Sequence, residues 1–152
     1  VQKPPPILIG GGGRRVLGIA GREADIVSVN FDLRSGEVSP ELGRDAVVEA
    51  IDRKIEWVRA GAGDRFDQIE LSTTVFMAAA TDDRRGMAEA TAPMFGLTPD
   101  QALATPFALV GSVEEVAEDL RARRERWGFT YVVMPSSGFE QMGPVVKELA
   151  GT

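Results

Sequence analysis

The feature that most narrows the fold is a recurring pair: a short run of continuous apolar residues, then a longer stretch with helical period. The runs are Ile7-Leu8-Ile9, Asp25-Ile26-Val27-Ser28-Val29, residues 68–75, and Thr130-Tyr131-Val132-Val133-Met134. Strands that scarcely alternate in polarity belong to parallel sheets covered by helices. Pro4, Pro5 and Pro6 before the first run and Pro135 after the last cannot donate to a ladder, so they bracket strands. The expected order is β-α-β-α-β-α-α-β-α. This is an α/β chain of 152 residues forming one domain, with right-handed crossovers.

Helix punctuation supports that order. Residues 14–20 read as a short helix with Val16, Leu17 and Ala20 on one side. Ser39-Pro40 supplies an N-cap and a first-turn proline, Val47, Ile51, Ile55 and Val58 follow at helical spacing, and Gly61 is the expected stop. A helix over 83–95 would turn Met87, Ala90 and Met94 inward and end at Gly96. Thr98 and Gln101, then Ser112 and Glu115, have capping-box spacing, and Gly128 ends the second of these helices. A last helix is expected over 141–150, and Trp57 and Trp127 are expected in the core.

Composition excludes much chemistry. The chain has no cysteine and no histidine, which removes disulfides, thiolate sites, His-based triads and most zinc or iron sites. A net charge of −6 argues against a nucleic-acid binder, and the Arg-Ala-Arg-Arg-Glu-Arg stretch reads as a solvated helix face. No window is apolar for long enough to span a membrane, and a cytoplasmic location is expected. The start, without Met, suggests a piece of a longer chain.

Gly10 to Gly13, followed by Arg14 and Arg15, form the candidate site. A strand that ends in glycines before a helix can present main-chain N–H groups and the positive helix end to an anion. The pattern fits neither a dinucleotide-binding nor a Walker fingerprint. A tight turn packed closely on its neighbours would use the same glycines. In a parallel sheet Val29 and Asn30 end the next strand on the same rim. Glu70, Ser72 and Thr74 form a polar face on the third strand that could line a cavity.

The stretches "PPILIGGGGRRVLGIAGREADIVSVN" and "GSVEEVAEDLRARRERWGFTYVVMP" resemble the bacterial luciferase-like monooxygenase family, in particular its branch of coenzyme-F420-dependent oxidoreductases. The resemblance implies the C-terminal half, four βα units, of a TIM-type (β/α)8 barrel, since a whole barrel takes about 250 residues. Residues 1–152 would then be a single half-barrel domain. The resemblance implies hydride transfer with reduced coenzyme F420, or FMN as the alternative, and an organic small-molecule substrate. It puts the cofactor phosphate at Gly11, Gly12 and Gly13 and near Val29 and Asn30; beside them Arg14 or Arg15 could add charge-assisted contacts. It implies catalytic residues in the absent N-terminal half, and no metal. The arginine-rich composition, 14 Arg to 3 Lys, is common in high-GC bacteria such as actinobacteria and tilts the choice to F420. Two open sheet edges and an uncovered face imply a homodimer or association with a missing half. A non-catalytic phosphate-binding half-barrel and a small doubly wound receiver-like domain are the other readings.

Overall fold

The computed structural model describes residues 4–33 and 42–151. The Ser39-Pro40 helix start falls outside them. Four strands make one parallel sheet in the order β1-β2-β3-β6: β1 Leu8–Gly11, β2 Ile26–Val29, β3 Glu70–Thr74 and β6 Phe129–Val133. The four runs read from the sequence are these strands. Their registers align Gly10 with Ser28, Ser28 with Ser72, and Ser72 with Tyr131.

Helices α1 (Arg14–Glu23), α3 (Val48–Ala62) and α6 (Val113–Trp127) cover one face of the sheet, while α2 (Gly43–Ala46) is a single turn. The core joins Leu17 and Ala20 of α1 to Ile51, Ile55 and Val58 of α3 and to Val27, Val29, Leu71 and Phe129 of the strands. Trp127 is buried there and Trp57 packs against its margin. The opposite face carries Leu8, Tyr131 and Val133, all exposed, so coverage of both faces is not met within the described residues.

α1 and α3 approach backbone to backbone. A Cβ on Gly61 would lie 2.3 Å from the Gly18 carbonyl oxygen, and one on Gly21 would lie 2.3 Å from that of Val58. Gly61 is therefore a packing residue rather than the stop. The helix continues to Ala62, and Gly63, at φ 56°, turns the chain.

The sequence reading missed a second parallel sheet, β4 (Met77–Ala80) with β5 (Ala108–Gly111). Three consecutive alanines favour a helix by local propensity, so their pairing with the buried β5 overrides it. Between these strands lie α4 (Arg84–Thr91), a 3-10 turn over Ala92–Phe95, and α5 (Pro99–Ala104). The expected helix over 83–95 is thus two pieces. Gly96 ends it in the left-handed region as expected. Ala88 and Ala92 face inward, whereas Ala90 is exposed and Met94 is 66% exposed. Both capping boxes form, at Thr98 with Gln101 and at Ser112 with Glu115, and Gly128 adopts φ 79°. The closing helix, α7 (Phe139–Leu149), packs Met142 and Val145 on Val75, Leu109 and Val116 in a second core.

Candidate functional site

The C-terminal ends of β1 and β2 meet where α1 begins, and an open groove there is lined by Gly10 to Gly13, Arg14, Asn30 and Asp32. Gly13 is the N-cap of α1 and has no side chain with which to cap the first-turn N–H groups. These donors, the helix dipole and the exposed Arg14 give the groove a positive end suited to an anion.

The absence of side chains at the glycines is answered largely by the chain itself. A Cβ on Gly11 would fall 2.5 Å from Val16 Cγ1, and one on Gly12 would fall 2.2 Å from the Phe31 carbonyl carbon. At Gly13 it would meet the Asp32 carboxylate at 3.2 Å, and at Gly10 the Asn30 Nδ2 at 3.3 Å. The loop is therefore a close-packed turn against residues 30–32. A ligand phosphate would approach it from the groove side, toward main-chain N–H groups.

Asn30 stands at the rim beside Gly10. Its Nδ2 donates to the Ser28 carbonyl at 3.4 Å and to Ser28 Oγ at 3.2 Å, while its Oδ1 is buried with no partner. The unpartnered atom is an acceptor and is buried away from the groove, so Asn30 offers no free donor to a phosphate there. Val29 is fully buried in the core, so only its main chain reaches the rim, and its carbonyl accepts from Thr73 Oγ1.

Beneath this rim lies a group that sequence reasoning did not find. Lys54, on α3, is fully buried and its Nζ donates to the Asn30 carbonyl at 2.6 Å and to Asp45 Oδ2 at 2.6 Å. Asp45 Oδ2 also accepts from the Asp32 N–H at 2.6 Å. One lysine and one aspartate thereby tie residues 30 and 32, the wall of the glycine turn, to α3. Burial pulls the Lys54 pKa below its ordinary value, opposed by the hydrogen bond and charge of Asp45. The signal in the sequence was a lysine amid Ile51, Ile55 and Val58, an apolar helical stripe that alone suggests burial.

The polar face of β3 divides. Ser72 is fully buried with its Oγ unpartnered, Thr74 is half-buried, and Glu70 is exposed beside Thr130. Gly10, Ser28, Ser72 and Tyr131 form one row across the face away from the helices, and its first three members are small where interiors of closed barrels are commonly filled by branched apolar residues. Among the described residues no cluster of three or more acidic, His or Cys residues could hold a metal, and no helix is long and apolar enough to cross a membrane.

No family model matches the sequence and no curated protein matches it. Solved structures do. A long-chain alkane monooxygenase is 16% identical with a TM-score of 0.61, over 95% of this chain and 41% of that one. The coenzyme F420 dependent tetrahydromethanopterin reductase from Methanopyrus kandleri is 16% identical with a TM-score of 0.55, over 94% and 50%. A riboflavin lyase crystallised with modified FMN and riboflavin gives 15% identity and a TM-score of 0.61, over 95% and 42%. The chain thus spans about half the length of these structures, and its fold is a half-barrel that matches the corresponding part of theirs.

Proposed function

We propose that this chain is the phosphate-binding, C-terminal half of a flavin- or deazaflavin-dependent oxidoreductase that passes hydride between reduced coenzyme F420 and an organic substrate. The observation that carries the reading is the junction of the uncapped start of α1, Arg14 and the glycine turn on one rim. The fold supports it, since an F420-dependent reductase and an F420-dependent secondary alcohol dehydrogenase share it. In this reading the N–H groups of Gly13 and the first turn of α1 receive the cofactor phosphate, with Arg14 adding charge. Asn30, held by Ser28, and Lys54 with Asp45 keep that wall in place. The bound deazaflavin supplies the hydride chemistry, and the protein positions it and excludes water. Groups that contact the ring and substrate lie outside this chain, and the location is cytoplasmic.

The test is a fluorescence titration of the chain with F420 and with FMN. Stronger binding of F420 is expected, and Arg14→Ala should weaken it about tenfold. Asp32→Asn removes a carboxylate beside Gly13 and should strengthen binding of the phosphate by roughly fivefold, given like-charge repulsion at partial screening. Tight FMN binding without F420 binding reverses the cofactor choice. No binding of either favours a second reading, a non-catalytic half-barrel whose glycines serve packing alone. The contacts that fill each Cβ position are the specific support for that alternative.

A further inference from the structure

Most arginines away from the glycine groove are answered by the chain itself. Arg84, Arg85, Arg121 and Arg126 each pair with a carboxylate at 2.6–2.9 Å, and Arg65 donates to the Gly21 and Ala24 carbonyls. The groove departs from that pattern. Arg14 and Arg15 line it, both exposed, and among the described residues neither has an acidic partner. Arg22, its third arginine, meets Glu23 at a loose 4.0 Å with both side chains more than half exposed. In a chain of net charge −6 this gathering of positive charge is a local arrangement and not a consequence of composition.

The arginines extend well beyond the glycine turn. Arg15 and Arg22 stand seven residues apart on α1, about two turns and about 10 Å along one face. Gly18 lies between them, and a Cβ there would touch nothing within 4 Å, so the face is a trough rather than a ridge. Trp57 of α3 lines its side. The acidic groups nearby are Asp32 at the mouth, Glu23 at the far end, and Glu56, which is paired with Arg59 at 3.6 Å. A phosphate at the glycine turn reaches the first-turn N–H groups and Arg14. It does not reach Arg22, which is about 12 Å further along the helix. The groove, at about 1380 Å³, is also far larger than one phosphate fills.

We propose that the trough holds the tail of an anionic ligand: a small molecule whose first phosphate sits at the glycine turn and whose further anionic groups, carboxylates or phosphates, run along α1 to Arg15 and Arg22. This rests on the anion reading of the glycine turn and adds a specificity to it. A ligand that ends at one phosphate leaves Arg22 unused, whereas one that continues into an acidic chain engages it. The two kinds are therefore told apart at Arg15 and Arg22 and not at the glycines. Exposed arginines contribute modest attractions that sum along the tail and weaken with salt, so the tail needs no fixed shape.

The test uses three probes: inorganic phosphate, a peptide of phosphoserine followed by three glutamates, and the same peptide with glutamines in their place. An extended tail of three residues spans about 10 Å, the reach the trough requires. Binding is read from tryptophan emission, with Trp57→Phe as the control that assigns the signal to the trough. The glutamate peptide should bind about fivefold more tightly than the glutamine peptide at low salt, and this margin should shrink as salt is raised. Arg22→Gln should remove most of the margin with unchanged circular dichroism, since its side chain is exposed. Arg121→Gln, on α6, should remove none of it. Equal binding of the two peptides, or a margin that survives Arg22→Gln, would overturn the inference and leave the phosphate reading in place. Failure of all three probes to bind would remove the phosphate reading, and the inference with it.

Discussion

At the scale of single residues, the glycines of this chain do different work in positions that look alike in sequence. Gly12→Ala would drive a Cβ into the Phe31 and Asp32 main chain, where no side chain can swing aside. It should cost about 3 kcal/mol, the upper range for overpacking. Gly18→Ala meets open space in the middle of α1 and should stabilise the chain by roughly 0.5–1 kcal/mol. Chemical denaturation of the two variants would read both signs. A Gly12→Ala protein as stable as the parent would show that the turn is not packed as described. The glycine run itself was legible as a close approach, because four such residues are costly to order unless something lies against them. What lay against them was not legible, since Phe31 and Asp32 reach the turn only through pairing of β1 with β2 and through the Lys54–Asp45 tie. Burial of Lys54 could be suspected from its apolar neighbours, but its partners, 9 and 24 residues away, could not.

At the scale of elements, α3 and α6 are clasped at one end by Asp52, which accepts from Arg126 at 2.8 Å and from the Trp127 indole N–H at 2.7 Å. The hydrogen bond from Arg126 lowers the Asp52 pKa most; burial opposes it, and the hydrogen bond from Trp127 and the charge of Arg126 add to the lowering. A carboxylate whose folded pKa is depressed stabilises the fold fully above its unfolded value, and that contribution disappears as pH falls through the folded one. The melting temperature should therefore fall below about pH 4, with part of this slope absent in Asp52→Asn. At neutral pH that variant should cost no more than about 1 kcal/mol, because the pair is well solvated. Indole fluorescence against pH would follow Trp127 directly, and an identical acid limb in the variant would dismiss the clasp. Elements with explicit ends were the readable ones: Ser112 with Glu115, Thr98 with Gln101 and Gly128 all act as their spacing suggests. β4 was not readable, because Met-Ala-Ala-Ala carries no strand signal and is extended only by pairing with β5.

At the scale of the whole molecule, stability should be graded across the sheet rather than uniform. β2 and β3 are paired on both sides and back onto the larger core, which runs from Leu17 through Ile51 to Phe129. β6 has one partner strand, and α7 rests on the smaller core around Val75, Leu109 and Met142. Amide hydrogen exchange should therefore be slowest in β2 and β3 and faster in β6 and α7, where opening exposes less apolar surface. In a dilute sample β1 should also exchange faster than β2, since among the described residues its outer edge has no ladder. Raising the concentration should slow exchange in β1 and β6 together if edges meet in pairs, and leave β2 unchanged. Uniform protection across all four strands in a dilute monomer would mean that the open edges are not weak points. The parallel α/β order was legible because its strand runs and helix caps repeat along the chain, which is local information, whereas the half-barrel came only from the resemblance of the two quoted stretches. The fate of the open inner face was not, because Ser28, Ser72 and Tyr131 are ordinary residues until register sets them in one row. Ser28 and Ser72 are too small to fill the middle of that face, so whatever completes the barrel must bring its own bulk or leave room for a ligand.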